Sequence, residues 1–408
     1  MNQYAVTPDL PGGTRHYDLG VELGRMGHRV YIFASDLNLA LRRRTRLRPG
    51  DLYSVEERDG TTFVWVRSAE YRRNDWRRAW NMLSFAWNLL RTTASMRREG
   101  EPDVIIGSSP HPFAALAAAY LARRLGSRFV LEVRDLWPQA LVDMGGLSES
   151  HPGVKLLRLI ERRLYARAER IVVLAAGAER YLTERGVDPE RIVYVPNGVH
   201  LDHFRVSSDR SPDRRQSRAR FGFDCFTIVY AGAHGPANAL ETIVKAAQMV
   251  SDLPVKFVLV GDGPAKDSLV ELARSLAVRN VQFLDPVPKS EMADLLSAAD
   301  AAVITLRNAQ AFSYAVSPNK LFDYMAAGRP ILCAVPGEVA QLVRTAGAGI
   351  PVEPENEAQL ADAVRQLVAL PQTEREQMGH RGRAYLEAHF DRRALAGRLA
   401  EALASIWT

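Results

Sequence analysis

The sequence contains little cysteine and no long hydrophobic run. Cys225 and Cys333 are the two cysteines among 408 residues, and both lie in apolar, strand-like surroundings. Neither a disulfide framework nor a metal cluster is therefore indicated. The longest apolar run, 113–122, has about half the length of a membrane span, and no signal-peptide pattern opens the chain. These absences favour a cytoplasmic protein that is soluble or bound peripherally to a membrane.

Lysine is also scarce, and the positive charge is concentrated in arginine clusters. The net charge is +6 at pH 7, and five arginines fall within positions 42–48. We predict a solvated loop for that cluster, because like charges repel. Such local basicity suits nucleotide phosphate or anionic lipid. Since no nucleic-acid-binding motif accompanies it, we expect no nucleic-acid partner.

The length of the chain and its hydrophobic pattern predict two α/β domains. Apolar strand-like runs alternate with helical segments almost from end to end, which favours two Rossmann-like, doubly wound parallel sheets covered on both faces. A content of 47% hydrophobic residues is enough for two cores. The predicted boundaries are 1–200 for the amino-terminal domain, 201–224 for a linker, 225–385 for the carboxyl-terminal domain and 386–408 for a closing helix.

Three glycine-rich turns follow predicted strands. The first follows the apolar run 3–6, which is short for a central strand, so either this strand is truncated or the chain starts upstream. Glycine lets the backbone approach a ligand closely, although ordinary turn formation explains the pattern equally well. Because two of these turns lie in similar positions of the two domains, we expect a cleft between the domains. The candidate glycines are Gly12, Gly13, Gly232, Gly261 and Gly263.

The segment 317–332 predicts a short helix that ends in a strand. Ser317 is the expected N-cap, Pro318 suits the first helical position, and Gly328 ends the helix. The helix N-terminus and Lys320 in its first turn favour an anion, and Asp323 follows one turn later. The alternative is a capped helix with an ordinary surface ion pair, which deserves about equal weight for this helix alone.

Polar residues also follow strands of the amino-terminal domain. Arg134 and Asp135 come directly after the strand 129–133, at the carboxyl end where open α/β sheets bind ligands. They are therefore expected to face the cleft, unless they pair with each other or cap the next helix. His111 lies in the polar turn after the preceding strand.

The segment 76–98 predicts a helix with tryptophans at helical spacing. Trp76, Trp80 and Trp87 fall on one face. This pattern fits a membrane interface, where indole rings lie at headgroup depth and arginines meet lipid phosphate. An ordinary core face is the equally weighted alternative. The flanking arginines are Arg72, Arg73, Arg77, Arg78, Arg97 and Arg98.

Taken together, these features resemble a GT-B glycosyltransferase of family 4, and the resemblance covers nearly the whole chain. The form of the 134–138 and 317–320 segments is similar to a bacterial subgroup that includes N-acetyl-fucosamine transferases of surface-polysaccharide assembly. The motifs that carry the resemblance are Pro11-Gly12-Gly13, Arg134-Asp135-Leu136-Trp137-Pro138, Val195-Pro196-Asn197-Gly198-Val199, Val260-Gly261-Asp262-Gly263-Pro264 and the segment 317–330.

The resemblance implies retaining, metal-independent transfer of an N-acetylhexosamine-type sugar, with UDP as the expected nucleotide. It implies a glycan or polyprenyl-linked acceptor, and closing helices that cross back to the first domain. Together with the tryptophan helix, it leads us to expect a cytoplasmic protein that contacts the inner face of the cell membrane. No cofactor is expected. Lys320 and Asp135 are the expected catalytic residues, and His111, Arg134 and Asp135 the expected acceptor side. The expected donor-binding residues are the five glycines named above with Ser317, Asn319, Lys320 and Asp323.

One position departs from the family pattern. A first carboxylate is usual eight positions before Asp323, where this chain has Ala315. Two further functions therefore remain as alternatives. A nucleotide-sugar epimerase of similar shape would need additional carboxylates and no acceptor, and a non-catalytic partner subunit would have lost the donor site. Lys320 and Asp323 argue against the partner subunit.

Overall fold

The computed structural model describes residues 1–71, 75–96, 100–201, 204, 212–288, 291–309, 312 and 317–407. The chain divides into two compact units. The first is Met1–Pro196 with Arg392–Thr408, and the second is Asn197–Asp391. The chain thus enters the second unit within the Val195–Val199 motif, and its closing helix belongs to the first unit.

The strands and helices alternate along both units, as the hydrophobic pattern predicts. The strands are β1 (Val30–Ser35), β2 (Leu37–Asn38), β3 (Arg43–Arg44), β4 (Tyr53–Arg58), β5 (Thr61–Val66), β6 (Val104–Ser108), β7 (Arg128–Val133), β8 (Arg170–Val173), β9 (Ile192–Tyr194), β10 (Phe226–Ala231), β11 (Val255–Val260), β12 (Val281–Leu284), β13 (Ala301–Thr305), β14 (Ile331–Ala334) and β15 (Gly349–Pro351). The helices are α1 (Arg15–Arg25), α2 (Trp76–Ser95), α3 (Pro112–Leu125), α4 (Gln139–Gly145), α5 (Pro152–Arg167), α6 (Gly177–Thr183), α7 (Pro212–Phe221), α8 (Glu241–Met249), α9 (Lys266–Ser275), α10 (Met292–Ala298), α11 (Asn319–Ala326), α12 (Glu338–Thr345), α13 (Glu357–Ala369), α14 (Gln372–His389) and α15 (Arg392–Ala404).

The first unit contains two separate main sheets. One has the order β1-β5-β4 and the other the order β6-β7-β8-β9. β1 and β5 run parallel while β4 is antiparallel to β5, and the four strands of the second sheet are all parallel. Helix α15 packs against α1, and its buried leucines share a core cluster with Leu19 and Leu23. The chain end therefore completes the core of the first unit.

Two local predictions for the first unit need correction. The run 3–6 forms no strand, because the chain turns away after Asn2, whose carbonyl accepts from the Ala5 N–H. The arginine cluster at 42–48 is more ordered than a solvated loop, since Arg43–Arg44 pairs with Leu37–Asn38 as a small hairpin. Carboxylates offset the repulsion there: Arg44 lies 2.8 Å from the buried Asp36.

The second unit has one six-stranded parallel sheet with the order β12-β11-β10-β13-β14-β15. Its central strands are buried on both faces, as expected for near-continuous runs of valine, isoleucine and leucine. The segment 201–224, predicted as a linker, contains helix α7, whose Arg214 and Arg218 bind Asp300 at the start of β13. Part of that segment thus packs as secondary structure of the second unit.

Candidate functional site

Helix α11 begins one residue later than the sequence suggests. Pro318 occupies the N-cap position in an extended conformation and Asn319 is the first helical residue, so the predicted N-cap role of Ser317 is wrong. Ser317 is instead held by Asn197. The Asn197 side chain donates to the Ser317 carbonyl over 2.7 Å, and the Asn197 backbone N–H lies 3.4 Å from Ser317 Oγ. Asn197 was not among the predicted site residues, although it belongs to the Val195–Val199 motif.

Helix α11 is tied to the glycine turn that follows β10. The Tyr324 hydroxyl accepts from the Ala231 N–H over 2.9 Å, and Lys320 Nζ donates to Asn238 Oδ1 over 2.9 Å. Lys320 Nζ also lies 5.1 Å from the centroid of the Tyr230 ring. The structure therefore brings the predicted lysine and Gly232 together at the carboxyl end of the central strand.

Glycine is required at position 232 for this arrangement. Gly232 has φ +153°, and a Cβ there would lie 2.2 Å from Lys320 Cε. The neighbouring turn after β11 packs against it just as closely, because a Cβ at Gly261 would lie 1.9 Å from the Gly232 carbonyl oxygen. A Cβ at Gly263 would lie 2.5 Å from the His234 carbonyl oxygen. Three of the predicted glycines thus form one continuous backbone surface beside Lys320.

Lys320 is a cation at neutral pH in a partly desolvated position. Burial lowers the pKa of Lys320 to about 8, while Asp323 acts in the opposite direction. Asp323 is half-buried one turn along the helix, and Asn319 is exposed at the first position of α11. Because the hydrogen bond from Lys320 to Asn238 goes to a neutral amide, an anion at this helix N-terminus would be stabilised both by the ammonium group and by the helix dipole.

His234 is a further residue of this surface that was not among the predicted site residues. It is completely buried, and within the described part of the chain neither ring nitrogen has a hydrogen-bond partner. Burial lowers the pKa of His234, and Lys266 lowers it further, so the ring is neutral at pH 7. A buried polar group without a partner is uncommon. In the sequence, the position of His234 between Gly232 and Gly235 is the feature that could have indicated that it belongs to the site.

In the first unit, a buried network surrounds Glu132 at the end of β7. Glu132 Oε1 lies 2.8 Å from Arg15 Nε, and Glu132 Oε2 lies 2.7 Å from His16 Nε2. The Ser108 hydroxyl donates to Glu132 over 2.6 Å. Burial alone would raise the pKa of Glu132, but His16 and Arg15 hold it well below its usual range. This network was not predicted from the sequence, because its members are far apart along the chain.

Arg134 and Asp135 lie beside this network at the carboxyl end of β7. Arg134 Nη1 is 3.4 Å from His16 Nδ1, and the Asp135 side chain is exposed to solvent. Helix α4 begins at Gln139 with Pro138 at the N-cap position, so Asp135 does not cap it. The pKa of Asp135 is raised, because desolvation of the carboxylate outweighs the opposing effect of the positive charges of Arg134 and Arg78. Asp135 thus remains a candidate base.

The structure gives His111 a structural role, which corrects its assignment to the acceptor side. His111 is completely buried. Its Nδ1 accepts from the Ala114 N–H at the start of α3, and its Nε2 contacts Gln3 Oε1. Burial lowers the pKa of His111 to about 3, so the ring is neutral. With both nitrogens engaged inside the protein, it has no group to offer a substrate.

The first glycine turn precedes α1 on the surface of the first unit. Gly12 and Gly13 are both exposed, and Gly12 has φ +146°. A Cβ at Gly12 would lie 3.0 Å from Val6 Cγ2. The turn is thus sterically adapted to glycine, as the two glycine turns of the second unit are.

Helix α2 presents its tryptophans to solvent. Trp76, Trp80 and Trp87 are 70%, 56% and 65% exposed, and Leu83 beside them is also exposed. The core of the unit instead receives the opposite face of the helix. This distribution excludes the core-face interpretation of the tryptophans. The buried residues of α2 are Asn81, Met82, Phe85, Leu89 and Thr92. Four of the predicted flanking arginines, at 72, 73, 97 and 98, lie outside the described residues, as does Ala315.

Each of the two units matches a family of known proteins. Residues 12–198 match a family described as glycosyl transferase 4-like domain, and residues 225–369 match glycosyl transferases group 1. The chain is 26% identical to the colanic acid biosynthesis glycosyl transferase WcaI of Escherichia coli K12 over 90% of both chains. It is 26% identical to a Pseudomonas aeruginosa protein named as glycosyltransferase WbjE, over 66% of both chains.

Solved structures show the same fold at lower identity. Sucrose-phosphate synthase from Thermosynechococcus elongatus superposes with a TM-score of 0.77 at 18% identity, covering 100% of this chain and 98% of that chain. HepE from Anabaena, solved in complex with UDP and glucose, superposes with a TM-score of 0.71 at 15% identity over 99% of both chains.

Two family models that cover the two halves, and relatives that match across the chain, define the class of this protein. It is a glycosyltransferase with the GT-B fold, built from two Rossmann-like units. In the described part of the chain, no helix combines the length and the apolar character required to cross a bilayer.

Proposed function

We propose that this protein transfers a sugar from a nucleotide-sugar donor, with retention of configuration and without a metal ion, in the biosynthesis of a cell-surface polysaccharide. We assign UDP as the nucleotide and an N-acetylhexosamine type as the sugar. The observation that carries the proposal is the position of Lys320, a partly desolvated cation at a helix N-terminus beside three close-packed glycines.

The donor diphosphate is assigned to the amino end of α11. As the bond between the anomeric carbon and the diphosphate oxygen breaks, negative charge grows on the diphosphate. Lys320 and the backbone N–H groups at the start of α11 would stabilise that charge more in the transition state than in the ground state. Asp323 would accept hydrogen bonds from ribose hydroxyls, and Ser317 and Asn319 would contact the sugar phosphate.

The acceptor hydroxyl is assigned to the carboxyl end of β7. Its oxygen forms the new bond to the anomeric carbon, and its proton passes to the departing phosphate oxygen or to Asp135. Asp135 would orient or deprotonate the hydroxyl, since it is exposed and its pKa is raised. Arg134, which lies beside His16, would contact polar groups of the acceptor.

The relatives support the substrate class. WcaI is named for colanic acid biosynthesis, and HepE was solved with UDP-glucose as well as with UDP and glucose. Other relatives are named as D-inositol 3-phosphate glycosyltransferases, but their matches cover less of this chain than that of WcaI: 69% for the Catenulispora acidiphila protein at 28% identity, and 52% for the Mycobacterium tuberculosis protein at 30% identity. A polysaccharide acceptor therefore agrees with the relative that matches over the greater length.

The exposed face of α2 supports a lipid-linked acceptor at the cytoplasmic membrane surface. The helix exposes three tryptophans together with Arg77 and Arg91, and it contains no acidic residue. Tryptophan is favoured at headgroup depth, and each arginine near an anionic surface contributes about 1 kcal/mol of attraction. We assign this face to anionic phospholipid, which would bring the first unit to a polyprenyl-linked acceptor.

A donor screen tests the proposed reaction. Purified protein is heated with a panel of nucleotide sugars that differ in base and sugar, and ligands that bind the native state raise Tm. We expect a UDP-sugar to give the largest shift and to yield a glycosylated product with a polyprenyl-linked saccharide acceptor. Conversion of the donor to an epimer in the absence of acceptor would indicate the epimerase instead. Absence of any shift across the panel would indicate a non-catalytic partner subunit.

A further inference from the structure

Asn238 is the hydrogen-bond partner of Lys320, and it lies in a short turn between β10 and α8. Its Oδ1 accepts from Lys320 Nζ over 2.9 Å, and its Nδ2 donates to the Ala233 carbonyl over 3.0 Å. Because an ammonium group can only donate and a carbonyl oxygen can only accept, these two partners fix the orientation of the amide. This position therefore uses both ends of the asparagine side chain.

The turn that carries Asn238 is held in place by the end of β13 and the residues after it. Pro236–Asn238 forms one turn of 3₁₀ helix. Arg307 donates twice to carbonyl groups of this turn, through its backbone N–H over 3.0 Å and through its Nε over 3.1 Å. The Thr305 hydroxyl donates to the Asn238 carbonyl. Ala239, the next residue, is completely buried with φ +47°, a backbone conformation that persists only where surrounding contacts require it. The Asn238 amide is therefore fixed in place by the fold of the second unit.

The amide holds the ammonium group of Lys320 without neutralising it. Within the described residues, Lys320 forms no ion pair with a carboxylate, and Asp323 acts on it only as a nearby charge. The other titratable groups around Lys320 are Tyr230 of β10, Tyr324 of α11 and His234 of the glycine turn. Burial raises the pKa of both tyrosines and lowers the pKa of His234, so all three are neutral at pH 7.

We propose that Asn238 is a positioning residue for the transfer reaction: its amide sets the place of the Lys320 ammonium group and leaves the positive charge available to the donor diphosphate. This inference rests on the proposed function, which assigns the diphosphate to Lys320. A carboxylate in place of the amide would form an ion pair with Lys320 and compete with the diphosphate. An apolar side chain would leave the long lysine side chain without a fixed direction.

The titration of Lys320 tests the contact without a substrate. Lysine is scarce, with six in the chain, so ¹³C-labelled lysine gives few NMR signals, and Lys320→Arg identifies the signal of Lys320. In the wild-type protein, the pKa of Lys320 should be about 8. Asn238→Asp should raise this pKa above about 9, because a neighbouring negative charge favours the ammonium form. Asn238→Ala should not raise it.

Asn356→Asp is the matched control, because it adds the same charge to the same unit. Asn356 is the N-cap of α13, where its side chain accepts from the Gln359 N–H over 2.9 Å. Aspartate caps a helix as well as asparagine does, so this variant should fold normally. The pKa of Lys320 in this variant should stay near the wild-type value.

Binding of UDP, measured by calorimetry at pH 7, tests the positioning role. Both Asn238 variants should bind UDP at least about tenfold more weakly than the wild-type protein, because a charge-assisted contact to the diphosphate is weakened or lost. The Asn356→Asp variant should bind within about twofold of the wild-type protein. The two Asn238 variants thus weaken binding alike but move the pKa of Lys320 differently. General damage to the turn would not raise that pKa.

Two results would overturn the proposal. One is an unchanged pKa of Lys320 in the Asn238→Asp variant, and the other is undiminished UDP affinity in the Asn238 variants. If thermal unfolding shows that Asn238→Asp does not fold, the UDP affinity of Asn238→Ala decides the positioning role. A wild-type protein that binds no UDP would instead contradict the donor assignment itself, and the pKa comparison would still show whether the amide holds the ammonium group.

Discussion

The two units share one architecture but differ in the continuity of their sheets. In the second unit, the turns that contain Gly232 and Gly261 are fixed from both sides, because Gly232 donates to the Val260 carbonyl and Gly261 to the Leu284 carbonyl, over 2.9 and 3.0 Å. In the first unit, the Gly12 turn follows a segment that lies outside both main sheets. A turn held between strands is a better preorganised ligand surface than one on a surface loop.

The two units also differ in how their charges are compensated. Arg15 in the first unit is buried against Glu132 and also donates to the Val195 carbonyl over 2.7 Å. Lys320 in the second unit bonds to a neutral amide and rests over an aromatic ring. In the proposed reaction, the second unit would therefore offer positive charge to an anionic donor, whereas the first would offer the exposed carboxylate of Asp135 to an acceptor hydroxyl.

The largest loss of turnover is expected for a substitution in the first unit. Asp135→Asn removes the proposed base and should lower turnover about 10²- to 10⁴-fold, the range of general base catalysis. Donor affinity should not change, because the donor is assigned to the second unit. Steady-state kinetics and donor titration by calorimetry measure the two effects separately. Asp267→Asn, at an exposed position in α9, is the matched control. A parallel loss of donor affinity would make Asp135 a donor residue and remove the functional contrast between the units.

The next largest loss of activity is expected for a substitution in the second unit. Lys320→Ala removes a charge-assisted contact to the departing diphosphate, and should lower kcat/KM by about thirty- to a thousand-fold, or about 2 to 4 kcal/mol. Asp323→Asn should mainly weaken nucleotide binding. Lys245→Ala is the control, since Lys245 is a partly exposed lysine of the same unit whose ammonium lies 3.5 Å from Glu357. Unchanged kinetics in both site variants would show that the donor binds elsewhere.

The sequence predicted the fold and the local surroundings of Lys320 better than the surroundings of Glu132 and His111. Lys320, Asp323 and the glycines lie in local motifs, where spacing along the chain already determines which groups share a turn or a helix face. The Glu132 network could not be predicted in this way, because Arg15 and Glu132 are 117 positions apart and meet through sheet topology alone. His111 was misassigned for the same reason: its partner Gln3 is 108 positions away.

Predictions from local residue type were also wrong at the start of α11 and in the segment 42–48. Ser317 is a favourable N-cap type, but its bonds to Asn197 use the side chain elsewhere, and Pro318 takes the cap position. The arginines at 42–48 were predicted as a solvated loop from repulsion between like charges. In the folded unit, Asp36, Glu56 and Glu70 lie beside Arg44 and Arg46 and offset that repulsion.

A pH profile separates the contributions of the two units within one protein. Lys320 must be protonated to bind the diphosphate, so kcat/KM should begin to fall as the pH rises through about 8. At higher pH, kcat/KM should fall by about tenfold for each pH unit. Asp135 must be ionised to act as a base, so the rate should rise with pH on the acid side as this raised pKa is passed.

Lys320→Arg provides the control for the alkaline limb. Arginine stays charged throughout this range, so the variant should lose the decline above pH 8, even if its absolute rate is lower in the space beside Gly232. A wild-type profile that stays flat between about pH 7 and about pH 10 would contradict the assignment of Lys320 as the diphosphate-binding cation.

The smallest effect on catalysis is expected at the surface of the first unit, where the Trp76→Ala, Trp80→Ala double variant removes apolar contact from the exposed face of α2. Both side chains are exposed, so the free energy of unfolding should change by less than about 1 kcal/mol, and rates with a soluble acceptor analogue should stay within about twofold. Binding to anionic vesicles at low salt should fall at least tenfold in co-sedimentation, because arginine attraction without apolar insertion is weak and screened by salt.

The control is the Leu156→Ala, Leu159→Ala double variant, which removes two exposed leucines from α5 and should not alter vesicle binding. If wild-type protein stays in the supernatant with anionic vesicles at low salt, the tryptophan face does not bind lipid, and a soluble acceptor replaces the lipid-linked one in the proposed reaction.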